Sequence, residues 1–131
     1  MHSYSFSFFG HENIVGTHKN TVEFTKEKNL TKRGDCIVGV SCGFDTSVLK
    51  TFSSKKVLIR ITVDDEIEKI TADYNPDFSD LHELVIRRSN FKSSRTFATF
   101  ADKVAIDINR KLIEKLKNPN IKGTVLIEEL A

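Results

Sequence analysis

Two stretches of this chain concentrate side chains that suit phosphate. Lys26, Lys28, Lys32 and Arg33 surround one polar segment, and Arg87, Arg88, Lys92 and Arg95 surround another. Arginine presents a planar fork of N–H donors that matches phosphate oxygens, and Ser89, Ser93, Ser94 and Thr96 add hydroxyls to the second segment. Phe91 lies among them as a face on which a base can stack. The chemistry expected is anion binding: Arg87, Arg88 and Arg95 clamp phosphate, Ser89 and Thr96 donate to it, and Lys32 and Arg33 steer it in. Nucleic acid is the favoured partner, ahead of a nucleotide or another phosphorylated small molecule. The plain alternative is a solvated edge whose cations pair with Glu23, Glu27 and Asp80.

A second set suits a small enzyme. His11 and His18 stand either side of Gly16, so a bend there brings two imidazoles together. Asp35 would orient one of them, and Cys36 would serve as a nucleophile if its thiol were activated. No spacing matches a known metal or triad motif, so neither a metal nor a cofactor is expected. His18 shares the alternation of Val22 and Phe24, and a hydrogen-bonded structural histidine on the core face is the simpler reading. The chain has no glycine-rich phosphate cradle, paired-cysteine motif, zinc-protease motif or nucleophile elbow.

The elements that must position these residues follow from composition and period. With 131 residues, 39% hydrophobic and 29% charged, the chain suits a single domain over 1–131 with a sizeable core. A net charge of +2 is too small to argue for nucleic acid unless the cations are gathered in space. No apolar run reaches the roughly 18 residues of a membrane span. Tyr4, Phe6 and Phe8 alternate with Ser3, Ser5 and Ser7, which is a strand pattern and not a signal-peptide core. No membrane partner and a cytoplasmic location are expected. On an extended strand Cys36 and Cys42 would stand about 20 Å apart, too far for a disulfide.

Further alternation marks strands over 17–26, 35–40, 56–63, 66–72, 84–88, 96–100 and 124–128, with a hairpin turn at Asp64-Asp65. In the first of these Thr21, Glu23 and Thr25 form a wet face or a polar groove. Asp45 caps a short helix reaching about Phe52. Val104, Ile108, Leu112 and Leu116 form an i+4 ridge, which predicts a long helix over 101–117 that Asn118-Pro119 ends. The predicted class is α+β, an antiparallel-dominated sheet with one short and one long helix. The order strand, basic loop, strand, helix occurs twice, over 17–52 and 82–117, with Asp35-Cys36-Ile37 falling over Arg95-Thr96-Phe97. That predicts an internal repeat about a pseudo-twofold axis. A Phe-rich first strand or another open edge would pair with a second copy, so a homodimer is a further expectation.

The blocks Gly10-His11-Glu12-Asn13, Thr17-His18-Lys19, Thr21-Val22-Glu23-Phe24-Thr25-Lys26, Leu30-Thr31-Lys32-Arg33-Gly34-Asp35-Cys36-Ile37 and Val85-Ile86-Arg87-Arg88-Ser89 resemble those of an archaeal family, domain of unknown function 371. Arg95-Thr96 and Ala101-Asp102-Lys103 continue the resemblance, which covers nearly the whole chain. It implies a small archaeal cytosolic protein and carries over no activity, cofactor or catalytic residue.

Overall fold

The computed structural model describes residues 2–130, in which the alternating segments form eight strands. These are β1 (Ser3–Phe9), β2 (Thr21–Thr25), β3 (Ile37–Gly39), β4 (Lys56–Val63), β5 (Glu66–Tyr74), β6 (Glu83–Arg87), β7 (Thr96–Thr99) and β8 (Lys122–Leu130). Two short helices, α1 (Thr46–Leu49) and α2 (Arg110–Lys115), complete an α+β fold. The lateral order is β1-β8-β4-β5-β7-β6-β2-β3. Just past β3, the Phe9 and Val40 main chains exchange two hydrogen bonds of 2.9 Å. The first and last strands are thereby joined, and the sheet curls round a core that includes Phe6, Phe8, Phe24, Ile59, Ile70 and Ile86. Strand β1, offered by the sequence as an open edge, has β8 on one flank and Val40 on the other.

Antiparallel pairing dominates, but β2–β3 and β6–β7 run parallel. Parallel neighbours that follow each other in sequence need a connection returning the full length of a strand. Residues 26–36 and 88–95, the two basic segments, are those connections. Each parallel pair carries a register shift, at Glu23/Phe24 and at Val85/Ile86. Each is also closed by two main-chain bonds. The N–H groups of Ser41 and Cys42 donate to the carbonyls of Glu27 and Thr25, and those of Phe100 and Ala101 donate to Ser89 and Arg87. Ser41 and Phe100 take left-handed φ of 50° and 51° at these turns.

Strands β2 and β6 pair antiparallel, with Thr21 opposite Arg87 and Thr25 opposite Glu83. Val22, Phe24, Leu84 and Ile86 join the core cluster, so Thr21, Glu23, Thr25, Glu83, Val85 and Arg87 project from the other face. The sequence leaves the face of Thr21, Glu23 and Thr25 wet or grooved. In the fold Glu23, Thr25 and Val85 are buried there, and the ends of the two connections, Cys36 and Arg95, stand against Glu23 on that face.

The long helix predicted over 101–117 is not formed. Residues 105–107 make one 3-10 turn, Ile108 is extended (ψ 138°), and α2 covers only Arg110–Lys115. The i+4 ridge is buried as its spacing requires, with Val104, Ile108, Leu112 and Leu116 each no more than 1% exposed. Competing partners explain the break. In a continuous helix the Asn109 N–H would serve the Ala105 carbonyl. It donates instead to Glu68 Oε2 at 2.9 Å, while the Ala105 carbonyl accepts from Ile108 and from the Arg110 guanidinium. The Asn109 side chain then caps α2 by accepting from the Lys111 N–H at 2.8 Å. Arg110 also donates to the Gly16 carbonyl at 3.0 Å and so ties down the polar connector after β1. Burial works against the Glu68 carboxylate, but Lys103 Nζ at 2.6 Å and the Asn109 N–H outweigh it and hold its pKa below the usual range.

At the other short helix, Asp45 caps α1 as its type predicts, accepting from the Ser47 N–H at 2.9 Å. The hairpin of β4 and β5 turns at Asp64, which adopts φ 53°. Among the described residues no helix is long and apolar enough to cross a membrane.

Candidate functional site

The outward face of β2 and β6, with the connection 88–95, gathers most of the chemistry. Arg87 ends β6 and its guanidinium is fixed by its neighbours: Nε donates to Thr96 Oγ1 at 2.7 Å, and one terminal nitrogen donates to Ser93 Oγ at 3.4 Å. The same guanidinium lies 4.8 Å from the centroid of the Phe91 ring, which is 58% exposed. Thr96 and Ser93 are thus partly committed to building the loop. Thr96 Oγ1 accepts from the Ser93 N–H, Ser93 Oγ from the Arg95 N–H, and Ser89 Oγ from the Phe91 N–H. These turns hold the aromatic ring at the surface with the cation against it. Phe100, also 58% exposed, follows where its N–H meets the Ser89 carbonyl.

The other two predicted clamp residues have acidic partners. Arg88 forms an ion pair with Asp107, whose carboxylate also accepts from the Val104 N–H. Arg95 lies 3.8 Å from Glu23 and 3.6 Å from Glu83. These two carboxylates are diagonal neighbours across β2 and β6. Burial, and then the charge of Glu83, push the pKa of Glu23 up to about 7 against the pull of Arg95. Glu83 Oε2 is buried with no hydrogen-bond donor. Burial and the nearby charge of Arg95 push the pKa of Arg87 down, so two guanidiniums share one corner of the molecule.

Connection 26–36 is built differently. Leu30 is buried in the core cluster, and its carbonyl accepts from Asn13 Nδ2 at 2.8 Å. Gly34 permits the tight turn beneath it, since a Cβ there would stand 2.7 Å from Leu30 Cδ1. Lys28, Lys32 and Arg33 are exposed, while Lys26 lies 4.7 Å above the Phe44 ring. Cys36 closes this connection beside Glu23. Burial, reinforced by the Glu23 charge, raises its thiol pKa to about 11. At neutral pH it is therefore a protonated thiol, the reverse of the activated nucleophile the sequence allowed.

The histidine set is spread out. His18 lies in the bend before β2, half-buried, and its Nδ1 accepts from the N–H groups of Asn20 (3.1 Å) and Thr21 (3.2 Å). It precedes the strand whose alternation was to aim it at the core. The main-chain carbonyl of Asp35 accepts from the N–H groups of Thr17 and His18, which pins that bend to the end of connection 26–36. His11 lies on the connector after β1, where Nδ1 accepts from the Asn13 N–H. It lines a cleft of about 310 Å³ with Phe9, Lys28, Asn29 and Ser41. Both cysteines are free. Among the described residues no group of three His, Cys, Asp or Glu side chains is placed to hold a metal ion.

Sequence reasoning overlooked the pairing of Glu23 with Glu83. Glu23 carried a signal, as an acidic residue between the buried positions Val22 and Phe24. Nothing in the sequence marked Glu83 as its neighbour, because that depends on β2 pairing with β6.

The family model described as "Domain of unknown function (DUF371)" matches residues 6–130. The uncharacterized protein MJ0206 of Methanocaldococcus jannaschii is 37% identical over 118 residues, covering 82% of this chain and 86% of the relative.

Proposed function

The chain belongs to the family described as Domain of unknown function (DUF371), and from that premise we propose that it binds single-stranded nucleic acid through the surface of connection 88–95. One observation carries the reading: the exposed Phe91 ring with the Arg87 guanidinium held against it by Thr96 and Ser93. Base–aromatic stacking tolerates any sequence, and an oriented guanidinium beside the ring supplies the phosphate contact. Phe100, Lys92 and Arg88 extend the surface, and Lys32 and Arg33 on the first connection steer the polyanion electrostatically. A nucleotide or another phosphorylated small molecule would use the same groups with fewer contacts. The two free thiols, Cys36 and Cys42, suit the reducing cytoplasm as the place of action.

We also propose that the two strand–connection–strand units are copies of one ancestral unit. Their matching register shifts, left-handed closing residues and closing hydrogen bonds support this. The correspondence these bonds favour sets Thr25 against Arg87, Cys36 against Arg95 and Ser41 against Phe100. It lies one residue from the alignment of Asp35 with Arg95.

Fluorescence anisotropy with labelled single-stranded RNA and DNA, at low and near-physiological salt, tests the binding reading. Micromolar affinity that weakens steeply with salt is expected. No binding at low salt would overturn it. The enzyme alternative retains one supporting feature, His11 beside Lys28 in the cleft of about 310 Å³, and would then be pursued with small metabolites.

A further inference from the structure

We infer that Glu23 and Glu83 share one proton and that its loss draws Arg95 onto the acid pair, making Arg95 a pH-gated member of the phosphate surface. Three geometric facts carry this. Glu23 is only 6% exposed, on the outward face of β2, beside Cys36 and Arg95 at the ends of the two connections. Glu83 approaches it diagonally from β6 and has a buried oxygen, Oε2, that lacks a donor. A proton held between the carboxyls supplies that donor and removes one of two adjacent negative charges. Arg95 faces both carboxylates at 3.6–3.8 Å yet keeps a side chain 46% exposed, so it can reach either the pair or a ligand outside.

The other groups around Glu23 do not titrate in the same window. Arg87 on β6 is a permanent cation committed to Thr96, Ser93 and the Phe91 face. Cys36, at the end of connection 26–36, stays a neutral thiol up to about 11, and burial pushes the Cys42 thiol higher still. The direction follows from charge. Below neutrality the pair carries one negative charge and Arg95 is free to turn outwards. Above neutrality it carries two, holds Arg95 inwards, and makes the corner less attractive to phosphate. By reciprocity, a bound phosphate would favour protonation of the pair. This consequence for binding rests on the nucleic-acid reading above; the gate itself does not.

The free protein decides the matter. Carbon-13 NMR of the glutamate carboxyls and nitrogen-15 NMR of Arg95 Nε should show Glu23 titrating with a midpoint near 7 and Arg95 shifting with the same midpoint. In Glu23→Gln the Arg95 resonance should be flat across that range. A Glu23 midpoint in the ordinary carboxylate range, or an Arg95 resonance that ignores it in the wild type, would overturn the inference whether or not any oligonucleotide binds. If binding is present, affinity should fall about fivefold from pH 6 to pH 8, as a linked pKa shift of about one unit above a midpoint near 7 implies. An anisotropy signal absent at every pH, beside a coupled titration, would sink the binding reading and leave the gate standing.

Discussion

The two connections that return between parallel strands end in the same kind of hydrogen-bonded, left-handed turn, yet they are filled in opposite ways. Connection 26–36 turns its apolar residue inwards: Leu30 is 8% exposed and packs in the core cluster. Connection 88–95 turns its apolar residue outwards, with Phe91 58% exposed beside Arg87. The first ends in a neutral thiol, Cys36, and the second in a guanidinium, Arg95. Both of these side chains face Glu23 from either side. Two parallel crossovers with like closing turns thus present different surfaces, one anchored in the core and the other displaying an aromatic ring beside a cation. Burial of the apolar side chain is the feature that separates them.

The sharpest way to break the comparison is to truncate both apolar residues. Leu30→Ala should cost about 2–5 kcal/mol, the range for deleting a buried leucine side chain, read as a lowered midpoint in urea unfolding. A loss below 1 kcal/mol would show that connection 26–36 is not anchored by its leucine.

Glu23→Gln tests the face between them. Its carboxyl is raised from an ordinary 4.5 to about 7. Across that window the folded state holds the proton more firmly than the unfolded one, so wild-type stability falls as pH rises from 4.5 through 7. The amide removes that penalty, and the variant should be more stable than wild type by about 3 kcal/mol at pH 8, with no gain at pH 4. Thermal melts at the two pH values check it, and an equal shift at both would refute the linkage.

Phe91→Ala should scarcely change the melting temperature. It should weaken oligonucleotide binding by about 1–3 kcal/mol, the usual worth of one stacked base, read by anisotropy. Unchanged affinity would remove the ring from the proposed surface. The smallest effect is expected of Lys32→Ala, which should reduce the salt slope of binding by about one phosphate contact and leave folding alone.

Much of this architecture was legible from alternation and turn chemistry. The pattern of Val57, Ile59, Ile61 and Val63, followed by Asp64-Asp65, marked the β4–β5 hairpin, and Asp45 marked the start of α1. The site was legible only in part. Arg87, Arg88, Arg95 and Phe91 stood out by type, with Thr96 as a hydroxyl beside them and Glu23 as one acidic partner, but Asp107 and Glu83 did not, because they meet the cations through strand pairing and loop return. The predicted helix over 101–117 failed for a related reason. Its ridge residues were read correctly as buried, but Glu68 on β5 competes for the Asn109 N–H, and no periodicity within the segment contains that information.

By itself the sequence determined which residues are apolar at which period, where turns fall, and where cations cluster. Those properties depend on neighbours a few positions away along the chain. Only the tertiary structure decided that the outward face of β2 is covered, that two carboxylates far apart in sequence lie side by side, and that one connection hides its apolar residue while the other displays it. Those outcomes depend on desolvation and on contacts between distant segments, which exist only once the sheet has closed on itself.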